Sequence, residues 1–191
     1  MNSGFEIAKI RMTIPNLITS IRIILAPIFV IYLINDRFLS ALVVFIFAGL
    51  SDGADGLLAR LLHQKSKLGA YLDPLADKIL LIAGFVVLSV RGFVPPWLTV
   101  TVISRDVLIL LGVLILFLNG TKFKIRPSVL SKMTTCLQIG TVLLVLSKKH
   151  FQPLSQISDY LFWVTGVFTI TSGLHYMSYW FRLIGDSSLG D

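Results

Sequence analysis

Asp52-Gly-Ala-Asp55-Gly56-Leu-Leu-Ala59-Arg60, followed by Gly69, Asp73 and Asp77, is the stretch that decides how this chain is read. Its pattern is D-x2-D-G-x2-A-R-x8-G-x3-D-x3-D, with four carboxylates inside 26 residues. The chain holds nine Asp and one Glu in 191 residues, so this is a concentration of acid. The rest is lipid-loving: 55% hydrophobic, 14% charged, with a mean hydropathy of +0.84. A soluble domain averages about 25% charged residues. Carboxylates at membrane depth are costly and mark function by default.

Outward from that stretch, apolar runs of the ~20-residue length that crosses a bilayer recur at 16–34, 38–62, 72–90, 97–118, 129–146 and 155–181. The expected fold is therefore all-α: an integral membrane bundle of six transmembrane helices, because helices satisfy their own backbone groups in hydrocarbon. One six-helix domain at 16–182 follows an N-terminal juxtamembrane segment at 1–15 and precedes a short polar tail at 183–191. Lys9 and Arg11 precede an apolar run, but it continues past Pro27 without a small-residue cleavage site, unlike a removable leader. Residues 35–37 and 91–96 read as tight turns, 63–69 as a polar hinge, and 119–127 as the most basic connection.

The net charge of +7 invites a nucleic-acid partner, but its placement argues for topology instead. An even number of spans puts both termini on one side, with Lys9, Arg11, Lys65, Lys67, Lys122, Lys124, Arg126, Lys132 and Arg182. The other side holds Arg37, Arg91, Lys148 and Lys149. The positive-inside rule then places both termini in the cytoplasm, and no nucleic-acid partner is expected. Cys136 is the single cysteine, so no disulfide framework exists.

Residues three and four apart share a helix face. Asp52 and Asp55 are so related, as are Asp55 and Ala59, and Asp73 and Asp77; Arg60 lies eight beyond Asp52 on nearly the same stripe. With the hinge folding back, the two acidic pairs can face one another. Four like charges at close range repel and take up protons unless cations neutralise them. Hard oxygen donors favour Mg²⁺, Mn²⁺ or Ca²⁺, and carboxylates facing a phosphate suggest a two-metal clamp. Gly56, Ala59 and Gly69 would let a phosphorylated ligand approach the backbone, and Arg60 is a natural fork for a diphosphate. A lone Asp–Arg pair between spans is often only helix glue; four Asp, one Arg and two Gly at this spacing argue against that.

The pattern resembles the signature of the CDP-alcohol phosphotransferases (CDP-alcohol phosphatidyltransferases), integral membrane enzymes of phospholipid synthesis. Every signature position is present, and the likeness runs from Pro15-Asn16-Leu-Ile-Thr19-Ser-Ile-Arg22 through the sixth span. The resemblance implies that the cluster binds two divalent cations, Mg²⁺ or Mn²⁺, and the diphosphate of a CDP-linked lipid such as CDP-diacylglycerol. An acceptor hydroxyl would attack the lipid-side phosphorus and CMP would leave. By position, Asp52, Asp55 and Asp73 resemble metal ligands, and Asp77 the general base, also touching metal. Asp52, Gly56, Ala59, Arg60 and Gly69 resemble the CDP-lipid site, lined by Asn16 and Thr19 of the first helix. As in other phosphoryl transfers, the protein would mainly position groups and offset charge.

The resemblance does not fix the acceptor. Lys122, Lys124, Arg126 and Lys132 lie on the expected cytoplasmic side, where an anionic headgroup would dock; ordinary positive-inside charge is the plainer reading. Arg105 sits eight residues into the fourth span beside Asp106, about 12 Å deep, as an internal pair or as a phosphate ligand. The stretch Pro127-Ser128-Val-Leu-Ser131-Lys132-Met-Thr-Thr135-Cys-Leu-Gln138 is similar to one found in two branches, which transfer to glycerol 3-phosphate and to phosphatidylglycerol. The usual bacterial glycerophosphate branch has Gly-Lys in place of Ser131-Lys132 and Arg-Glu in place of Arg105-Asp106. Both departures look more like the cardiolipin-forming branch. The compact chain suits the glycerophosphate branch, the commoner one. Glycerol 3-phosphate is therefore the first expectation and phosphatidylglycerol the second.

A non-enzymatic carrier is the remaining class, but transporters often show repeated halves and the acidic motif occurs once. His63, His150 and His175 show no ligand spacing. Trp97, Trp163 and Trp180 suit an aromatic belt. Gly166 and Gly173 suit helix contact, with a homodimer through the sixth span as the other reading. The expected location is a bacterial inner membrane or an organelle membrane, with the active site toward the cytoplasm.

Overall fold

A computed structural model describes residues 14–61, 67–118, 128–148 and 155–187, with side chains described within 24–51, 78–112 and 128–148 and, from 157 on, through 178 and at 180. The described residues form six α-helices and no strands: α1 (Ile14–Ile34), α2 (Phe38–Leu61), α3 (Lys67–Val90), α4 (Pro96–Leu118), α5 (Val129–Lys148) and α6 (Ser155–Ser187). Within the residues whose side chains are described, α5 is the one helix long and apolar enough to cross a membrane.

Buried apolar side chains recur every three or four residues. In α2 they are Phe38, Ala41, Phe45 and Ala48; in α3, Leu81, Phe85 and Leu88. This is the helical period, and it aims one stripe of each helix inward. The opposite stripe of α2 is just as apolar: Leu39, Val43, Ile46, Phe47 and Leu50 are exposed. A helix that is apolar all round needs a buried or lipid-facing surround rather than water.

α1 packs on α2 and α3, while α6 packs on α4 and α5. The two groups join through α2 and α3 against α5, and α3 against α4. At the core of the first group, the Phe29 and Phe45 rings lie 5.4 Å apart, and Phe29 fills the space beside Gly84.

The turns at 35–37 and 91–96 share one device. After α1, Arg37 N donates to Tyr32 O (2.9 Å) and Asp36 N to Leu33 O (3.3 Å); after α3, Phe93 N donates to Leu88 O (2.8 Å) and Gly92 N to Ser89 O (2.9 Å). Both are Schellman closures, which need a left-handed residue just past the helix. Gly92 (φ 74°) supplies it in one turn and Asp36 (φ 58°) in the other. Arg91 then reaches across, donating to Leu33 O (3.2 Å), Ile34 O (2.6 Å) and Asp36 Oδ1 (2.6 Å). It thereby satisfies carbonyls left over at the end of α1 and ties the two turns together. Pro96 opens α4, where its missing N–H has no cost.

Two boundaries depart from the hydropathy reading by five residues or more. α3 begins at Lys67 rather than 72, so Gly69 lies on the helix and not in a hinge. α6 continues to Ser187, into the expected tail. Hydropathy marks only the apolar part of a helix, whereas backbone hydrogen bonding carries it on into polar residues.

Candidate active site

The signature residues divide between two helices in contact, joined by five residues. Asp52, Asp55, Gly56, Ala59 and Arg60 lie on the last third of α2; Gly69, Asp73 and Asp77 lie on the first half of α3. Asp55 is six residues before Leu61 and Asp73 six after Lys67, each about 9 Å from its helix end. Asp52 and Asp77 sit nine and ten residues in, about 14–15 Å. Counted along each helix from the connection, the two acidic pairs therefore lie at similar distances from their helix ends. Asn16 and Thr19 lie on the first turns of α1, which packs against both helices. The side chains of all these residues lie outside the described residues, as do Lys122, Lys124 and Arg126 entirely. Among the described residues no group of three His, Cys, Asp or Glu could hold a metal.

The described side chains next to the acidic segment form one polar network. Lys78, the residue after Asp77, donates from Nζ to both oxygens of Asp106 on α4, at 2.8 and 2.7 Å. Arg105 Nη1 donates to Asp106 Oδ1 at 2.7 Å. Arg105 Nη2 donates to Ser131 Oγ on α5 (2.6 Å) and Ser172 Oγ on α6 (3.1 Å). Its guanidinium carbon lies 6.0 Å from the centre of the Tyr176 ring, within the range of cation–π attraction. Arg105 is 4% exposed and the Asp106 side chain 7%, against 33% for Lys78. Arg105 Nε is a buried donor without a partner among the described residues.

Arg105 and Asp106 form a buried ion pair, and Asp106 is shared with Lys78. Lys132, by contrast, is exposed on the first turn of α5. Sequence reasoning passed over Lys78, although a lysine inside an apolar run directly after Asp77 is itself a signal. Ser172 and Tyr176 carried no signal, since they lie 67 and 71 residues beyond Arg105 in the chain.

From this network a polar seam continues between α5 and α6. Thr134 Oγ1 lies 3.2 Å from Phe168 O, Gln138 Nε2 3.4 Å from Thr169 Oγ1, and Thr141 Oγ1 2.9 Å from Thr165 Oγ1. Lys148 Nζ donates to Ser158 Oγ (3.2 Å) at the far end. Gly166 and Gly173 of α6 serve contacts within the chain. A Cβ at Gly166 would meet the Trp97 ring at 2.6 Å, and one at Gly173 would meet Arg105 Cγ at 3.6 Å. Trp97 and Trp163 lie with ring centres 4.8 Å apart.

The model of the CDP-alcohol phosphatidyltransferase family matches residues 12–171. The chain is 34% identical over 182 residues to CDP-diacylglycerol–glycerol-3-phosphate 3-phosphatidyltransferase of Bacillus subtilis, covering 86% of this chain and 93% of that one. It is 34% identical over 179 residues to the cardiolipin synthase (CMP-forming) of Rattus norvegicus and 35% identical over 179 residues to that of Homo sapiens, each match covering 85% of this chain. The matches span 59% and 60% of the lengths of those two relatives.

Proposed function

The chain belongs to the CDP-alcohol phosphatidyltransferase family, and from that premise we propose that it transfers a phosphatidyl group from CDP-diacylglycerol to a glycerol-type acceptor, releasing CMP. The observation that carries this is the acidic pattern, at similar distances from the joined ends of α2 and α3 and inside the matched residues.

Four carboxylates on adjoining helices are a hard-oxygen donor set that fits Mg²⁺ or Mn²⁺. Asp52, Asp55, Asp73 and Asp77 would hold two such ions, which when bound offset the charge on the diphosphate and the leaving group. Arg60 pairs with the diphosphate, Gly56, Ala59 and Gly69 admit it close to the backbone, and Asn16 and Thr19 line the CDP-lipid site from α1. The acceptor oxygen forms a new bond to the lipid-side phosphorus. The bond from that phosphorus to the bridging oxygen breaks, and CMP leaves with the electron pair. Asp77 takes the hydroxyl proton.

Glycerol 3-phosphate is the first acceptor. In support, the match accounts for 93% of the Bacillus enzyme, so nearly every segment of it has a counterpart here. Phosphatidylglycerol is the second reading, and one observation favours it. Asp106 and Ser131, where the chain departs from the usual glycerophosphate pattern, are both bonded to Arg105 in a single network. Lys132, with Lys122, Lys124 and Arg126, would draw the anionic acceptor toward the site. The all-round apolar helices support six membrane spans, and the charge placement supports an active site on the cytoplasmic side.

The test is CMP release from CDP-diacylglycerol by purified protein with Mg²⁺ or Mn²⁺, glycerol 3-phosphate and phosphatidylglycerol being offered in parallel. Release with one acceptor names the reaction. Release with neither, from folded protein, overturns it.

A further inference from the structure

The acidic segment of α3 is followed at once by a cation that the proposed chemistry does not use. Lys78 spends its ammonium on both oxygens of Asp106, and Asp106 shares one of those oxygens with Arg105. Arg105 is anchored in turn on α5 and α6 through Ser131 and Ser172, with the Tyr176 ring beside it. One carboxylate thus joins α3 to the three helices that follow it. An α-helix turns about 100° per residue, so fixing the direction of residue 78 fixes where residues 73 and 77 point.

We propose that Lys78 and Asp106 are positioning residues. Their ion pair sets the rotation of α3, and with it the placement of Asp73 and Asp77 for divalent-cation binding. This rests on the metal-dependent reading of the acidic segment given above. The physical precedent is general: groups that orient metal ligands from outside the coordination shell change affinity when lost, by about 10- to 100-fold.

The sign of the effect separates position from charge. Removing the Lys78 ammonium takes a positive charge from beside the acidic segment, and by Coulomb's law alone that would tighten cation binding. Loss of position would weaken it. Lys78→Met therefore sets the two effects against each other, whereas Lys78→Arg keeps both the charge and the means to bond Asp106.

The experiment is Mn²⁺ titration of the full-length chain in detergent, without substrate, reading free Mn²⁺ by electron paramagnetic resonance. Lys78→Met and Asp106→Asn are expected to weaken Mn²⁺ binding by about 10- to 100-fold, with Lys78→Arg close to the unaltered chain. Thr165→Val, in the polar seam distant from α3, serves as the structural control: it should lower the melting temperature and leave Mn²⁺ affinity unchanged. Unchanged or tighter binding in Lys78→Met overturns the proposal, even if the melting temperature falls. Should Asp106→Asn fail to fold, the Lys78 pair of variants decides, since Lys78 is partly exposed. An unaltered chain that neither binds Mn²⁺ nor releases CMP overturns the proposed function instead. One that binds Mn²⁺ as tightly as its Lys78→Met variant overturns this inference alone.

Discussion

Lys78 on α3 and Asp106 on α4 meet through two hydrogen bonds, 2.8 and 2.7 Å long, one residue beyond Asp77. The contact spans 28 positions of sequence and joins the helix carrying half of the acidic pattern to the helix carrying a buried arginine. Buried ion pairs add little net stability compared with apolar packing. Their direction and their cost when broken make them better at fixing an arrangement than at strengthening it.

Asp77→Asn keeps the shape of the side chain and removes its basicity. CMP release should fall by about 100- to 10,000-fold, the usual contribution of a general base, with the melting temperature nearly unchanged. A chelator should abolish release in the unaltered chain, and added Mg²⁺ or Mn²⁺ should restore it. A carrier would have no CMP release to lose, so one assay separates the two classes.

Gly112 on α4 faces Trp180 on α6 so closely that a Cβ there would overlap the indole ring. Gly112→Ala should cost about 1–3 kcal/mol, the range for overpacking, read as a lowered midpoint of unfolding. The double variant Gly112→Ala/Trp180→Leu should recover part of that loss. If the single variant melts normally, the two helices are not in close contact there.

Phe29 is fully buried, with its ring against Phe45 and beside Gly84. Phe29→Ala should destabilise the α1–α2–α3 core by about 3–5 kcal/mol. The protein that remains folded should keep its acceptor preference, so stability and the identity of the product should separate in paired unfolding and product assays.

Gln138 is fully buried, yet its Oε1 has no partner among the described residues and its Nε2 bond is 3.4 Å long. Flipping the amide does not help. Thr169 Oγ1 already donates to Thr165 O at 2.6 Å and has no second proton to offer Oε1. Gln138→Met should therefore leave stability unchanged or raise it, because burying an unpaired acceptor is unfavourable. A clear loss of stability would show that an ordered water completes the site.

The acidic motif was legible because carboxylates are rare in this chain and their spacing matches the helical period. Six helices were legible because apolar runs of bilayer length have few other uses. Gly69 and the start of α3 were misplaced for a related reason: hydropathy reports the apolar part of a helix, and α3 extends beyond it to Lys67. Arg105 and Asp106 stood out as charges deep in a span, but their roles did not. A carboxylate in sequence next to an arginine gives no hint that it also serves a lysine 28 residues earlier.

The helices, the acidic pattern and the family those residues mark could all be read along the chain, because period, composition and spacing are local properties. The pairing of Lys78 with Asp106, the bonds from Arg105 to Ser131 and Ser172, and the room Gly112 leaves for Trp180 emerge in the folded chain. Those relations depend on how helices rotate and cross. Helix rotation and crossing are set by the sum of many small packing contacts between elements far apart in the chain, which no single stretch of residues encodes.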